Sequence, residues 1–280
     1  NTKNIAEAAS HEAGHTLGLQ HQSTYNSSCT KTAEYNGGQG SGEIGWAPIM
    51  GVGYSRNITT WFNGPNTYAC NYIQNDISII AGASNNFGLR SDDHGNTRAT
   101  ASPVALAGYN FQATGIVNDS VDKDVFEFSI PVTTAFHLNA IPDNVGSGNA
   151  GANIDLKISL LDNIGDTIGQ YNPLTLLDAG VDSNLNAGNY YLVVQGVSNV
   201  NMTSYGSLGY YSLSGSLMTV LPVKEFNLSG QVEGEDQVLS WQLVTDEKMA
   251  RSTLEYSTNG HQFTRLADLS TSGEYRWRPE

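Results

Sequence analysis

Cysteine is nearly absent from this 280-residue chain, which holds only Cys29 and Cys70. An even count of two fits one bridge in an oxidising compartment and equally fits two buried thiols, and the bridge between Cys29 and Cys70 is the expectation taken forward. Basic side chains are also scarce. Thirteen Lys and Arg stand against 27 Asp and Glu, a formal charge of −14. That balance repels nucleic acid and anionic membrane and suits a protein that binds hard cations. No apolar run approaches the roughly 18 to 20 residues of a membrane span, so membrane insertion is not expected. The first residues, NTKNIAEAAS, lack the basic and apolar regions of a signal peptide. Length alone predicts two or three domains, with residues enough for a sizeable core.

What is present changes character along the chain. From Thr2 to Leu19 the residues are mostly good helix formers, with Ile5, Ala8, Ala9, Gly14 and Leu17 apolar or small, which predicts a helix ending at Gly18. Residues 22 to 66 are rich in Asn, Gly, Ser and Thr without sustained periodicity and read as a long loop region. A second helix is expected over NYIQNDISIIAG, with Ile73, Ile77 and Ile80 on one stripe and Gly82 at its end. Near residue 88 the pattern turns to short alternating runs such as VDKDVFEFSI, NIDLKISLLD, GNYYLVVQGV and GYYSLSGSL, the signature of an antiparallel sandwich. A third stretch of strands and turns begins after residues 221 to 223. The expected domains are therefore 1–88, 89–220 and 221–280.

The densest chemistry lies in HEAGHTLGLQH, residues 11 to 21. Residues four apart share one helix face, so His11 and His15 can aim two imidazoles at one tetrahedral zinc ion. On a continued helix His21 would sit roughly 9 Å further along and about 240° around. The helix must break, and Gly18 can adopt the positive φ that turns the chain back and brings His21 in as third ligand. Three protein ligands leave a fourth position to water, the arrangement of a catalytic zinc. Glu12 is then the general base that takes a proton from the attacking water. His94, His137 and His261 stand alone and read as surface or core packing.

The string HEAGHTLGLQH resembles the HExxHxxGxxH site of the metzincin zinc metallopeptidases, and WAPIMG at 46 to 51 resembles their Met-turn. The resemblance implies that Met50 forms an apolar floor beneath the imidazoles without ligating the metal. In some members a tyrosine two residues after that methionine can touch the metal. Here Val52 holds that place and Tyr54 stands four residues after Met50, a departure from the pattern. Through about Ala83 the chain is similar to the lower part of a secreted bacterial reprolysin-like peptidase.

Residues 91 to 218 resemble the bacterial pre-peptidase C-terminal domain, through DDHGNT, VDKDVFEF, GANIDLKISLLD, LNAGNYYLVVQGV and YGSLGYYSLSG. Such sandwiches are associated with secretion, substrate binding or calcium, which makes Asp92, Asp93, Asp122 and Asp124 candidate Ca2+ ligands; the other reading is that these acidic turns simply face water. The last segment resembles the first part of a fibronectin type III-like module.

The implied fold is multidomain: an α+β metzincin lower subdomain of active-site helix, Met-turn and C-terminal helix, followed by antiparallel β-sandwich domains. The implied protein is a secreted, monomeric zinc endopeptidase acting on protein or peptide substrates. The alternative is a substrate- or surface-binding sandwich protein with a vestigial zinc site. A metzincin places a twisted sheet before its active-site helix, and its edge strand pairs with extended substrate. Only ten residues precede His11 here. The expectation is an internal fragment of a longer protein, one that binds zinc and lacks efficient proteolysis.

Overall fold

The computed structural model describes residues 2–104, 109–218, 223–245, 252–257 and 262–278. His261 therefore lies outside the described residues. The chain divides into two compact units, Asn1–Met218 and Thr219–Glu280.

The first unit begins with helix α1, Thr2–Thr16. Its end is a Schellman turn: Gly18 N–H donates to His15 O at 3.1 Å and Leu19 N–H to Gly14 O at 3.0 Å, with Gly18 at φ 95°. The chain reverses at the glycine as the spacing requires. The buried face of α1 differs from the apolar pattern, since Lys3, Glu7 and Gly14 are buried while Ile5 is 71% exposed. Lys3 and Glu7, one turn apart, form an ion pair, and Lys3 Nζ also donates to Gly53 O at 3.0 Å. Mutual pairing makes this polar face tolerable in the interior.

After α1 come short strands, β1 (Thr24–Tyr25) with β2 (Lys31–Ala33), then β3 (Trp46–Pro48) parallel to β4 (Ile58–Thr60). Strand β5 (Asn63–Pro65) pairs antiparallel with β6 (Ile73–Asn75), and α2 spans Asp76–Ile80. The expected helix over 71–82 is thus cut to five residues. Asn75 is the reason, because its side chain accepts Ser78 N–H as an N-cap and starts the helix there. Upstream, the Gln74 amide exchanges two bonds of 2.9 Å with the Gln20 backbone, which holds β6 extended. Ile73, placed on a buried stripe by the pattern, is 56% exposed.

The remainder of this unit is a β-sandwich. Its strands are β7 (Ser102–Pro103), β8 (Asn110–Val117), β9 (Asp124–Ile130), β10 (Thr134–Pro142), β11 (Leu156–Leu161), β12 (Thr167–Tyr171), β13 (Ala179–Leu185), β14 (Gly188–Gly196) and β15 (Gly209–Met218). They form one sheet in the order β13-β10-β15-β8 and another in the order β12-β11-β14-β9-β7, antiparallel except for β7 beside β9. Period-2 burial is plain in β10, where Thr134, Phe136, Leu138, Ala140 and Pro142 point inward. Phe136 stacks on Phe128 of the facing sheet with centroids 4.9 Å apart. A smaller core joins Ile44, Trp46 and Ile58, in and around β3 and β4, to Ala152, Leu177 and Met202 of the sandwich. The composition change near residue 88 marks a change of structure type, while the two parts share one compact unit.

In the second unit β16 (Val223–Glu233), β17 (Asp236–Thr245) and β20 (Ser272–Trp277) form one sheet, and β18 (Thr253–Tyr256) pairs with β19 (Thr264–Asp268). Among the described residues no helix is long and apolar enough to cross a membrane.

Candidate metal centre

The helix and its reversal bring His11, His15 and His21 together, with one ligand atom from each within 4.8 Å of the others. Their protonation is set by what the other ring nitrogen touches. His11 Nδ1–H donates to Ile49 O and His15 Nδ1–H to Leu19 O, both at 2.8 Å. A carbonyl can only accept, so both rings carry a proton on Nδ1, which leaves Nε2 for a metal. His21 Nδ1–H donates to Glu34 Oε1 at 2.9 Å, leaving the same nitrogen for a metal. Three imidazoles with Nδ1–H engaged are a set that zinc can take, and an outer acceptor on each ligating histidine is the usual accompaniment. Burial, its largest influence, lowers the His11 pKa, which keeps that ring in the neutral, ligating form.

Each acceptor comes from a different part of the local fold. Leu19 O follows the Schellman turn, and Ile49 O belongs to the turn that follows β3. Met50 is fully buried and packs against Gly14, where an added Cβ would fall 2.4 Å from its sulfur. The methionine thus fills the space that Gly14 leaves open on α1. Gln22 N–H donates to Met50 O at 2.7 Å, tying the residue after His21 to the same turn. Glu12 is exposed beside His11 and lines, with Glu7, Ala8, His11, Tyr35, Val52 and Tyr54, a cavity of about 280 Å³.

Two residues beside the three histidines were not singled out by the sequence. Glu34 accepts from His21, Lys31 Nζ at 2.8 Å and Thr67 Oγ1 at 2.7 Å, and these partners, Lys31 foremost, hold its pKa down at about 2. Tyr35 places its ring 4.3 Å from that of His21 and 6.1 Å from that of His11. Tyr54 lines the cavity but has no ring contact with the three imidazoles among the described residues. The signal for Glu34 was general: each ligating histidine needs an acceptor, and spacing does not say which. Cys29 and Cys70 are bridged, with Cα atoms 5.4 Å apart, so the loop holding Thr67 is tied to the β1–β2 hairpin.

A second cluster gathers Asp92, Asp122 and Asp124, with ligand atoms within 4.8 Å of one another. Asp124 is fully buried; Tyr211 Oη–H donates to its Oδ2 at 2.5 Å, and its Oδ1 has no hydrogen-bond partner among the described residues. Asp122 Oδ1 is likewise buried and unpartnered. Burial first, then the neighbouring carboxylates, push Asp124 up to about 7 and raise Asp122. Asp93, the fourth expected ligand, is not in this group, because its Oδ1 accepts Ile116 N–H of β8 at 3.2 Å. His94 bonds Ser102 Oγ and Thr114 O, and His137 pairs with Asp182 across β10 and β13. Both are packing histidines.

No family model matches the chain, and no curated protein matches it. Among solved structures it is similar to the pre-peptidase C-terminal domain of a Bacillus anthracis collagenase, at 18% identity and TM-score 0.32 over 44% of this chain and 100% of that one. It is also similar to PliG of Aeromonas hydrophila, a periplasmic inhibitor of g-type lysozyme, at 16% identity and TM-score 0.31 over 42% and 96%. A β-glucuronidase of an uncultured Clostridium sp. aligns at 11% identity and TM-score 0.21 over 56% of this chain and 29% of that one.

Proposed function

We propose that the chain carries the metal site of a secreted zinc endopeptidase. The observation behind the reading is the tautomer pattern: three imidazoles on one centre, each with Nδ1–H given to an acceptor. A structural role needs no such set with a carboxylate standing next to it. Bound zinc would supply Lewis acidity toward a carbonyl oxygen and a water. Glu12 would accept that water's proton as it adds to the carbonyl carbon and return it to the leaving amine. Glu34, Ile49 O and Leu19 O hold the rings in position meanwhile.

The second reading is a substrate- or surface-binding sandwich beside a vestigial zinc site. The two parts are joined by Gln39 Nε2 on Asn201 O, Asn201 Nδ2 on Ile44 O, Asn153 Nδ2 on Thr59 O and Tyr205 Oη on Asn75 Oδ1, contacts that serve either reading. For the acidic cluster we propose a calcium ion held by Asp92, Asp122 and Asp124, supported by two buried oxygens without partners. The test of the peptidase reading is cleavage of an unfolded protein by the zinc-loaded full-length protein, with a chelator control. Glu12→Gln should keep its zinc and lose turnover. Equal turnover in the variant overturns the role of Glu12, and no zinc-dependent cleavage by the wild type favours the binding module.

A further inference from the structure

The cavity beside His11 is lined by a phenol that no part of the histidine string specifies. Tyr35 is 45% exposed, lines the cavity together with Glu12 and His11, and sets its ring 4.3 Å from that of His21 with the planes tilted by 44°. Its hydroxyl makes no hydrogen bond to any described residue. Its backbone, by contrast, is fixed on both sides. Ser23 Oγ–H donates to Glu34 O at 2.6 Å, Asn36 N–H to Gln22 O at 2.7 Å, and Val52 N–H to Asn36 O at 3.0 Å. Residues 34 to 36 are therefore stitched to the segment after His21 on one side and to the Met-turn on the other. A rigid backbone carrying an exposed, unpartnered donor into the cavity that holds the general base is the arrangement that stabilises developing charge without reorganisation.

We propose that Tyr35 is a catalytic residue whose phenol donates a hydrogen bond to the substrate carbonyl oxygen as that oxygen becomes an oxyanion. This rests on the peptidase reading above. As the water oxygen bonds to the carbonyl carbon, the π pair moves onto the carbonyl oxygen and the water's proton passes to Glu12. Tyr35 keeps its own proton and shares it with the new anion. When the C–N bond breaks, the pair returns to the carbonyl and Glu12 protonates the amine. Tyr54, 53% exposed and without a ring contact to the ligands, does not take this part.

The test compares wild type, Tyr35→Phe, Tyr35→Ala and Tyr54→Phe, each as the zinc-loaded full-length protein, with two readouts. Calorimetry measures binding of a phosphinic peptide, whose tetrahedral oxygens mimic the adduct, and kinetics separates kcat from KM. Tyr35→Phe keeps the ring, so zinc content and KM should hold, while phosphinate affinity and kcat fall by about 10²- to 10³-fold, the loss typical of one oxyanion donor. Unchanged phosphinate affinity in Tyr35→Phe, damage confined to Tyr35→Ala, or a larger loss in Tyr54→Phe overturns the assignment and leaves the peptidase reading standing. A zinc-loaded wild type that neither binds the phosphinate nor cleaves any peptide overturns both.

Discussion

An imidazole does not choose for itself which nitrogen keeps the proton, and at this centre two backbone carbonyls and one carboxylate make the choice. The carbonyls are parts of turns and cannot be mutated away, but Glu34 can. Glu34→Ala should leave His21 free to rotate and to change tautomer, weakening zinc by about 10- to 100-fold in competition with a chelating dye. Unaltered affinity would show that the Glu34–His21 bond of 2.9 Å does not orient the ligand. His15→Ala should go further and abolish stoichiometric binding. The gathering of His11, His15 and His21 was legible because one local string fixes their geometry. Glu34 and Tyr35 were not, since their relation to His21 depends on how a non-periodic loop closes.

At the scale of elements, α1 works through two glycines with different duties. Gly14 gives its Cβ space to Met50, and Gly14→Ala should overpack the floor, costing about 1–3 kcal/mol in denaturant unfolding and weakening the metal site with it. Gly18 has nothing within 4 Å of its Cβ position, so Gly18→Ala carries only the strain of its positive φ, about 1–2 kcal/mol. A larger effect at Gly18 than at Gly14 would contradict this division. The bridge between Cys29 and Cys70 closes 41 residues of sequence, and its removal should cost up to about 4 kcal/mol in the chain-entropy account. The first helix could be read from sequence because capping and propensity agree there. The second could not, because isoleucine spacing at 73, 77 and 80 is outweighed by the Asn75 cap and the Gln74–Gln20 pairing.

Across the whole molecule, the sandwich was legible from alternation, but its interlocking with the segment around β3 and β4 was not, because a small apolar cluster and single polar contacts between residues far apart in sequence leave no periodic pattern. The same unit buries two carboxyls pushed up to about 7: Asp124 by burial and then by Asp122, Asp93 and Asp92, and Asp155 by burial and then by Glu43. Such groups hold their proton more tightly folded than unfolded, where the value is near 3.8. Stability from this source is fully present below about pH 4 and is lost as pH rises to about 7. The metal-free chain should therefore unfold at lower denaturant at pH 8 than at pH 5, and calcium should recover the Asp124 share. A flat profile, or no calcium effect at pH 8, would contradict it. The central claim is narrower, that three histidines of one string make an open zinc site. X-ray absorption on the zinc-loaded chain tests it most directly. The account predicts one zinc with three imidazole nitrogens at about 2.0–2.1 Å and a non-protein oxygen in fourth place; a fourth protein ligand, or an unchanged spectrum in His21→Ala, would contradict it.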